Sequence, residues 1–105
     1  QASSSAASDV YKRQGEDMIP KNINFDIIDG FTKVTDKDAA IFCRELLKKE
    51  GMFLGNSAGA AIKGVLQLKQ NFKPDDLVVV LFHDHGSRYL KKIYNDDWMS
   101  KMGYM

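Results

Sequence analysis

A serine hydroxyl and two glycines occur together in the segment GNSAG at residues 55–59, between a short apolar stretch and a helical pattern. Backbone N–H groups at the start of a helix have no partner within that helix and attract hydrogen-bond acceptors. The glycines allow a sharp turn and the close approach of a flat ligand. The segment is therefore a candidate ligand site at Ser57, although for the bare motif the simpler interpretation is that Ser57 caps its helix.

The same residues fit the nucleophile elbow of an α/β-hydrolase, including the expected order of strand, turn and helix. Such a site needs an acid and a base downstream of the serine, and Asp84 and His85 follow in that order. They are adjacent in one loop, however, whereas hydrolases carry the acid and the base on separate loops. The hydrolase interpretation is kept as an alternative from another class, and it is not favoured.

The tripeptide His83-Asp84-His85 is the other group with chemical potential. Three consecutive side chains cannot easily converge on one ion, and the chain has no further histidine, so no metal site is predicted. The tripeptide follows an apolar segment that reads as a strand, and loops at the carboxyl ends of parallel strands often bind ligands. Asp84 and His85 are therefore candidate cleft residues. Cys43 lies on an apolar helical face and is predicted to be core.

The composition excludes several classes of protein. The formal net charge is +1, which gives no electrostatic footprint for nucleic acid. The longest apolar run, residues 77–82, is too short to span a membrane. The single cysteine rules out an intrachain disulfide and favours a reducing compartment, so a cytoplasmic protein is predicted.

The elements that must position these residues alternate in type. Helical patterns cover about residues 36–50, with Gly51 as the terminating residue, and about residues 58–69. Apolar segments at residues 31–34, 52–54 and 77–82 read as strands, the last with three consecutive valines. Further helices are predicted at residues 87–94 and 96–101. This order predicts an α/β fold of parallel strands with crossover helices.

The chain divides at residue 14. Residues 1–14 are rich in serine and alanine and lack a sustained apolar period, so we interpret them as a leader that is non-native or disordered. Residues 15–105 are interpreted as the C-terminal part of a catalytic domain, on the resemblance described next.

Three spaced blocks of the chain resemble the cysteine synthase and cystathionine β-synthase family of pyridoxal-phosphate (PLP) enzymes. The blocks are GEDMIP at residues 15–20, GNSAGAA at residues 55–61, and the strand-like segment from Val78 with the DHGSRY that follows it at residues 84–89. The later run NDDWM, at residues 95–99, looks closer to cystathionine β-synthase than to cysteine synthase. The resemblance covers residues 15–105.

This resemblance implies the tryptophan synthase β-like fold, also called fold type II, and PLP as the cofactor of the intact enzyme. It implies that Ser57 contacts the pyridine nitrogen, that Gly15 belongs to a loop beside the cofactor, and that Asp84 lies in a cofactor-facing block. It also implies small amino-acid and thiol substrates, either serine with homocysteine or O-acetylserine with sulfide, and a homodimer. No stretch matches the family's Schiff-base lysine, so no catalytic residue is assigned and the chain alone is expected to be inactive.

Overall fold

The computed structural model describes residues 21–105. Gly15 and the predicted boundary at residue 14 lie outside this range. This range contains three α-helices: α1 at Asp36–Glu50, α2 at Asn56–Gln67 and α3 at Asp96–Lys101. Short 3-10 helices occur at Phe25–Ile27, Lys69–Asn71 and Gly86–Tyr89. In this part of the chain, no helix is long and apolar enough to cross a bilayer.

Helix α1 begins and ends where its sequence predicts. The Thr35 side chain accepts a hydrogen bond from the Asp38 backbone N–H at 3.0 Å, which satisfies one of the free donors of the first turn. Acidic residues occupy the first turn and basic residues the last, as the helix dipole favours. Gly51 follows in the left-handed conformation with φ 69°, a conformation that other residues adopt at a cost.

The threonine cap gives a first testable prediction. Thr35→Ala should lower the free energy of unfolding by about 1 kcal/mol, because the Asp38 N–H loses its acceptor. Thr35→Ser keeps the hydroxyl and should stay close to the parent protein. Urea unfolding followed by circular dichroism measures both variants, and equal stability of the alanine and serine variants would contradict the assigned cap.

The core lies between α1 and the C-terminal segment. Buried Ala40 and Cys43 of α1 pack with Ile93 and Met99, and partly buried aromatic residues surround this cluster. Arg44 joins the same two regions, because it donates to the Ile93 carbonyl at 3.0 Å and pairs with Asp96. The sequence prediction that Cys43 is core is confirmed, and Met99 is also buried.

The predicted parallel strands are not present in residues 21–105. The pairing found there is a single antiparallel bridge between Leu54 and His85. Residues 77–82, expected as a strand buried on both faces, have no regular structure, and Leu77 and Val79 are 91% and 84% exposed. A strand is stabilised by hydrogen bonds to neighbouring strands, and no segment of the described range pairs with residues 77–82. The α/β prediction is therefore not confirmed by this structure.

The predicted helix at residues 87–94 is also different in the structure. Residues 86–89 form a 3-10 helix and the next residues form turns. The second helix ends at Gln67, slightly before its predicted end, and a 3-10 helix follows it. The last helix is confirmed at Asp96–Lys101, with the Asn95 side chain accepting from the Trp98 N–H.

Candidate functional site

The start of α2 carries no side-chain cap. Gly55 is the N-cap residue, in an extended conformation with φ −75° and ψ 167°, and it offers no side-chain oxygen. Ser57 lies in the first turn of the helix, and its hydroxyl makes no hydrogen bond with any residue of the described range. The simpler interpretation, in which Ser57 caps its own helix, is therefore wrong. The N–H groups of this turn are left for a partner from outside the helix.

Ser57 borders a cavity of about 270 Å³. The wall contributed by α2 consists of small and apolar residues, which leave room beside the backbone. The opposite side comes from the segment before α1 and from the loop after the apolar run. The lining residues are Gly30, Phe31, Thr32, Val34, Ser57, Ala60, Ala61, Gly64, Val65, Leu68 and His83. No carboxylate is among the described residues that line this cavity.

At both glycines of the motif, other residues of the protein occupy the space that a side chain would need. A Cβ on Gly55 would overlap the Asp84 carboxylate and come within 2.8 Å of the Tyr89 ring. A Cβ on Gly59 would overlap the Cys43 thiol and lie 3.0 Å from the Ala39 carbonyl oxygen. We expected these glycines to let a flat ligand approach the backbone, but the structure gives another explanation for glycine at these two positions. They allow α2 to pack closely on α1 and on the loop at Asp84.

The residues just before α2 are held by hydrogen bonds from three directions. The Gly55 N–H donates to the Asp84 carbonyl at 3.0 Å, and the Gly86 N–H donates to the Phe53 carbonyl at 3.0 Å. The Cys43 thiol donates to the Gly55 carbonyl at 3.3 Å. The Tyr94 hydroxyl donates to the Leu54 carbonyl at 2.6 Å. The turn that carries Ser57 is therefore anchored on its protein side.

Burial shifts the titration of the groups behind the turn. Desolvation raises the pKa of the Cys43 thiol to about 11, so the group is neutral at physiological pH. Burial, aided by the hydrogen bond to the Asp84 carboxylate, raises the pKa of Tyr89 to about 12. Burial also raises the pKa of Tyr94 to about 12. These three groups act as neutral hydrogen-bond donors.

Asp84 adjoins the start of α2 without lining the Ser57 cavity. One carboxylate oxygen accepts from the Tyr89 hydroxyl at 2.7 Å, and the other is buried without a hydrogen-bond partner in the part of the chain that the structure describes. His85 caps the following 3-10 helix, because its Nδ1 accepts from the Ser87 N–H at 3.2 Å. Among residues 21–105, no group of side chains could hold a metal ion.

The hydrolase alternative finds no support in this geometry. Neither histidine forms a hydrogen bond with Ser57, and the Asp84 carboxylate bonds to Tyr89 instead of a histidine. A nucleophilic serine requires a base within hydrogen-bond reach and an acid that orients this base. The described residues do not bring such a triad together.

Comparison with known proteins identifies the family to which the chain belongs. Residues 3–84 match the family model described as pyridoxal-phosphate dependent enzyme. The chain belongs to this family. The PLP-dependent assignment made from the three blocks is thereby confirmed, and no match supports the hydrolase class.

Two characterised relatives have related names. The chain is 36% identical over 88 residues to N-(2-amino-2-carboxyethyl)-L-glutamate synthase of Ralstonia nicotianae, covering 84% of the chain and 26% of that protein. It is 35% identical over 91 residues to cystathionine β-synthase of Dictyostelium discoideum, covering 87% of the chain and 18% of that protein. The chain thus spans about a quarter or less of the length of these relatives.

Two solved structures share the fold. A hydrogen sulfide-producing enzyme in complex with an α-aminoacrylate intermediate is 30% identical, with a TM-score of 0.66 over 81% of the chain and 27% of that structure. An O-ureido-L-serine synthase is 23% identical, with a TM-score of 0.67 over 83% of the chain and 30% of that structure. Both are PLP-dependent enzymes of fold type II, so this part of the fold prediction is confirmed.

Sequence reasoning missed one residue that holds the turn before Ser57. Tyr94 was predicted only as the end of a helix, yet its hydroxyl bonds to the Leu54 carbonyl from 40 positions away. An aromatic residue before an N-cap asparagine gives no signal for such a contact. The only hint in the sequence is that a tyrosine, with its polar end, occupies a place where phenylalanine would also pack.

Proposed function

We propose that this chain is part of a PLP-dependent β-replacement enzyme of sulfur amino-acid metabolism, in which Ser57 contacts the pyridine nitrogen of the cofactor. The observation that carries the proposal is the uncapped start of α2 in a chain of the PLP family. There the Ser57 hydroxyl borders a cavity and has no hydrogen-bond partner among the described residues. Gly15 and Asp84 stay predictions as cofactor-binding residues, and so does the boundary at residue 14.

The residues present leave space for the cofactor ring, and one polar atom of the same turn lacks a partner. The small side chains of Ala60 and Ala61 and the backbone of Gly64 leave room next to Ser57 for a flat ring. A buried side-chain oxygen of Asn56, in the same turn, has no hydrogen-bond partner within residues 21–105. Buried polar groups are normally satisfied, so we expect a donor from outside residues 21–105 at this oxygen.

The bound cofactor would supply the electron sink that supports elimination and replacement at the β-carbon of an amino acid. Ser57 would donate its hydroxyl proton in a neutral hydrogen bond to the ring nitrogen. Because no carboxylate lines the cavity among the described residues, nothing here would hold a full proton on that nitrogen. A less electron-poor ring favours replacement chemistry over transamination.

The substrate pair that we favour is serine with homocysteine, as in cystathionine β-synthase. The Dictyostelium relative supports it, and so does the run Asn95 to Met99. The alternative is cysteine synthase, which would use O-acetylserine and sulfide. The Ralstonia relative, named for a 2-amino-2-carboxyethyl group on glutamate, leaves open a nitrogen nucleophile for this chemistry. Homodimeric assembly and a cytoplasmic location stay predictions.

Substrate assays on a PLP-loaded enzyme that contains this chain would separate these pairs. Cystathionine formed from serine and homocysteine, with no cysteine formed from O-acetylserine and sulfide, is the expected result. The reverse pattern would establish the alternative. We expect residues 15–105 alone to give neither product, because no stretch of them matches the Schiff-base lysine of the family.

Replacing Ser57 tests the cofactor contact directly. In the PLP-loaded enzyme, Ser57→Ala should lower kcat by about fivefold or more, which corresponds to the loss of roughly one neutral hydrogen bond. The absorption maximum of the bound cofactor should also shift, because the ring nitrogen loses its donor. Absorbance spectroscopy and steady-state kinetics provide the two measurements.

Ser57→Thr is the matched control, since it keeps a hydroxyl at the same position and should retain most of the activity. Ser57→Asp introduces a carboxylate and should move the absorption maximum further than Ser57→Ala does. If all three variants have the kinetics and the spectrum of the parent enzyme, Ser57 does not contact the cofactor and the proposed function loses its main support.

A further inference from the structure

Two side chains from different parts of the sequence hold the consecutive carbonyl groups that precede α2. The Tyr94 hydroxyl donates to the Leu54 carbonyl at 2.6 Å, and the Cys43 thiol donates to the Gly55 carbonyl at 3.3 Å. Gly55 is the N-cap of α2, and Ser57 lies two residues further on. The two donors therefore act on the backbone immediately beside the Ser57 turn.

Both donors pack in the hydrophobic core of residues 21–105. Cys43 is completely buried, and Tyr94 packs against the buried cluster that contains Cys43, Ile93 and Met99. The Tyr94 ring also meets the Phe53 ring edge to face, with their centroids 4.8 Å apart. Close packing of this kind allows little adjustment of either donor. The carbonyls of Leu54 and Gly55 are thus fixed relative to the core.

We propose that Tyr94 is a positioning residue for the Ser57 site, with Cys43 as the second anchor of the same turn. The proposal rests on the proposed function, because Tyr94 would affect activity by positioning Ser57 for its contact with the cofactor. Tyr94 does not line the cavity at Ser57. Its influence on the cofactor must therefore pass through the Leu54 carbonyl and the backbone that leads to Ser57.

Loss of the Tyr94 hydroxyl would leave the Leu54 carbonyl without this donor and allow the turn to move. Small displacements of a positioned group reduce the rate strongly, because the hydrogen bond from Ser57 depends on distance and angle. A purely structural role of Tyr94 would lower stability as well, but it would do so equally whether or not Ser57 carries a hydroxyl. The coupling between the two residues therefore distinguishes the two roles.

The test is a double-mutant cycle in a PLP-loaded enzyme that contains this chain, with Tyr94→Phe, Ser57→Ala and the double variant. Tyr94→Phe keeps the ring and removes only the hydroxyl. Tyr104→Phe is the matched control, because Tyr104 packs on Trp98 and its hydroxyl makes no hydrogen bond with the residues that the structure describes. The readouts are kcat, KM and the absorption maximum of the bound cofactor.

Tyr94→Phe should lower kcat by about fivefold with a smaller change in KM, and it should shift the absorption maximum in the same direction as Ser57→Ala. In the Ser57→Ala background, the same change should lower kcat by less than about twofold. Tyr104→Phe should leave both readouts at the level of the parent enzyme. Equal losses from Tyr94→Phe in both backgrounds, or an unchanged spectrum, would overturn the positioning role.

Thiol labelling of Cys43 separates this result from a failure of the proposed function. If Ser57→Ala is silent in kinetics and spectrum, the proposed function fails, and the positioning of a cofactor contact by Tyr94 fails with it. Labelling of Cys43 then shows whether Tyr94 holds the turn, independently of any cofactor. Faster labelling of Cys43 in Tyr94→Phe than in Tyr104→Phe supports a turn held by Tyr94, and equal rates overturn it.

Discussion

Gly59→Ala should lower the free energy of unfolding by about 1–2 kcal/mol, although alanine is the better helix former. The gain in helix propensity is about 1 kcal/mol. Against it stands the overlap of the new Cβ with the buried Cys43 thiol, and its 3.0 Å approach to the Ala39 carbonyl oxygen. Overpacking of a well-packed core costs about 1–3 kcal/mol, and the backbone of α1 cannot move aside easily. The steric cost therefore exceeds the gain in propensity.

A second substitution identifies the cause of this loss. Cys43→Ala removes the sulfur that the new Cβ would meet, so the double variant should recover at least about 1 kcal/mol relative to the sum of the single variants. Gly64→Ala is the matched control in the same helix, because its Cβ would first meet a methyl group of Thr32 at 3.0 Å. Urea unfolding of the four variants measures the cycle. Strictly additive effects would contradict close packing of Gly59 on Cys43.

Helices α1 and α3 were predictable because their determinants are local. Thr35, the acidic first turn and Gly51 define α1 within a few residues of its ends, and Asn95 does the same for α3. The apolar run at residues 77–82 is different, because a strand is stabilised by neighbouring strands, which its own sequence does not determine. Within residues 21–105 those neighbours are absent, so the strongest strand signal of the chain corresponds to an exposed segment.

The candidate site was predictable only in part. The sequence places Ser57 at a helix start, and the structure adds that its hydroxyl has no hydrogen-bond partner within residues 21–105 and borders a cavity. The reason for the two glycines was wrong, because tight contacts with Asp84 and Cys43 depend on how distant elements pack. The anchoring by Tyr94 was missed for the same reason. Residue type indicates where a ligand site could be, and tertiary contacts determine what holds it in place.

Cys43 links these observations, since one thiol bonds to Gly55 and packs against Gly59. The first and last residues of the motif therefore meet the same side chain of α1. Such an arrangement makes the geometry of the Ser57 turn depend on the packing of α1 against α2. A thiol suits this place because it is small enough to fit against a glycine and still donates a hydrogen bond.

The stability of the chain should fall as the pH rises above about 9, because buried acids behind the turn resist ionisation. Cys43 has its pKa raised from 9.0 to about 11 in the folded protein. Between these values the unfolded chain releases the thiol proton while the folded chain retains it, so the unfolded state is stabilised relative to the folded state. The full stabilisation is present below pH 9, and about 2–3 kcal/mol is lost by pH 11. Tyr89 and Tyr94, each raised from 10.0 to about 12, act in the same direction at slightly higher pH.

Urea unfolding at a series of pH values between 8 and 11 would measure this loss. Cys43→Ala removes the thiol and should flatten the decline that begins near pH 9, leaving the later decline caused by the tyrosines. Tyr104→Phe removes a tyrosine that is not bonded to the turn, and it should leave the profile unchanged. The comparison must follow the slope against pH instead of the absolute stability, because Cys43→Ala also weakens packing at every pH. If the Cys43→Ala variant declines as steeply as the parent protein between pH 9 and pH 10, the thiol does not ionise with the raised pKa that its burial produces. The close fit of Cys43 between Gly55 and Gly59 would then be looser in solution than the structure has it.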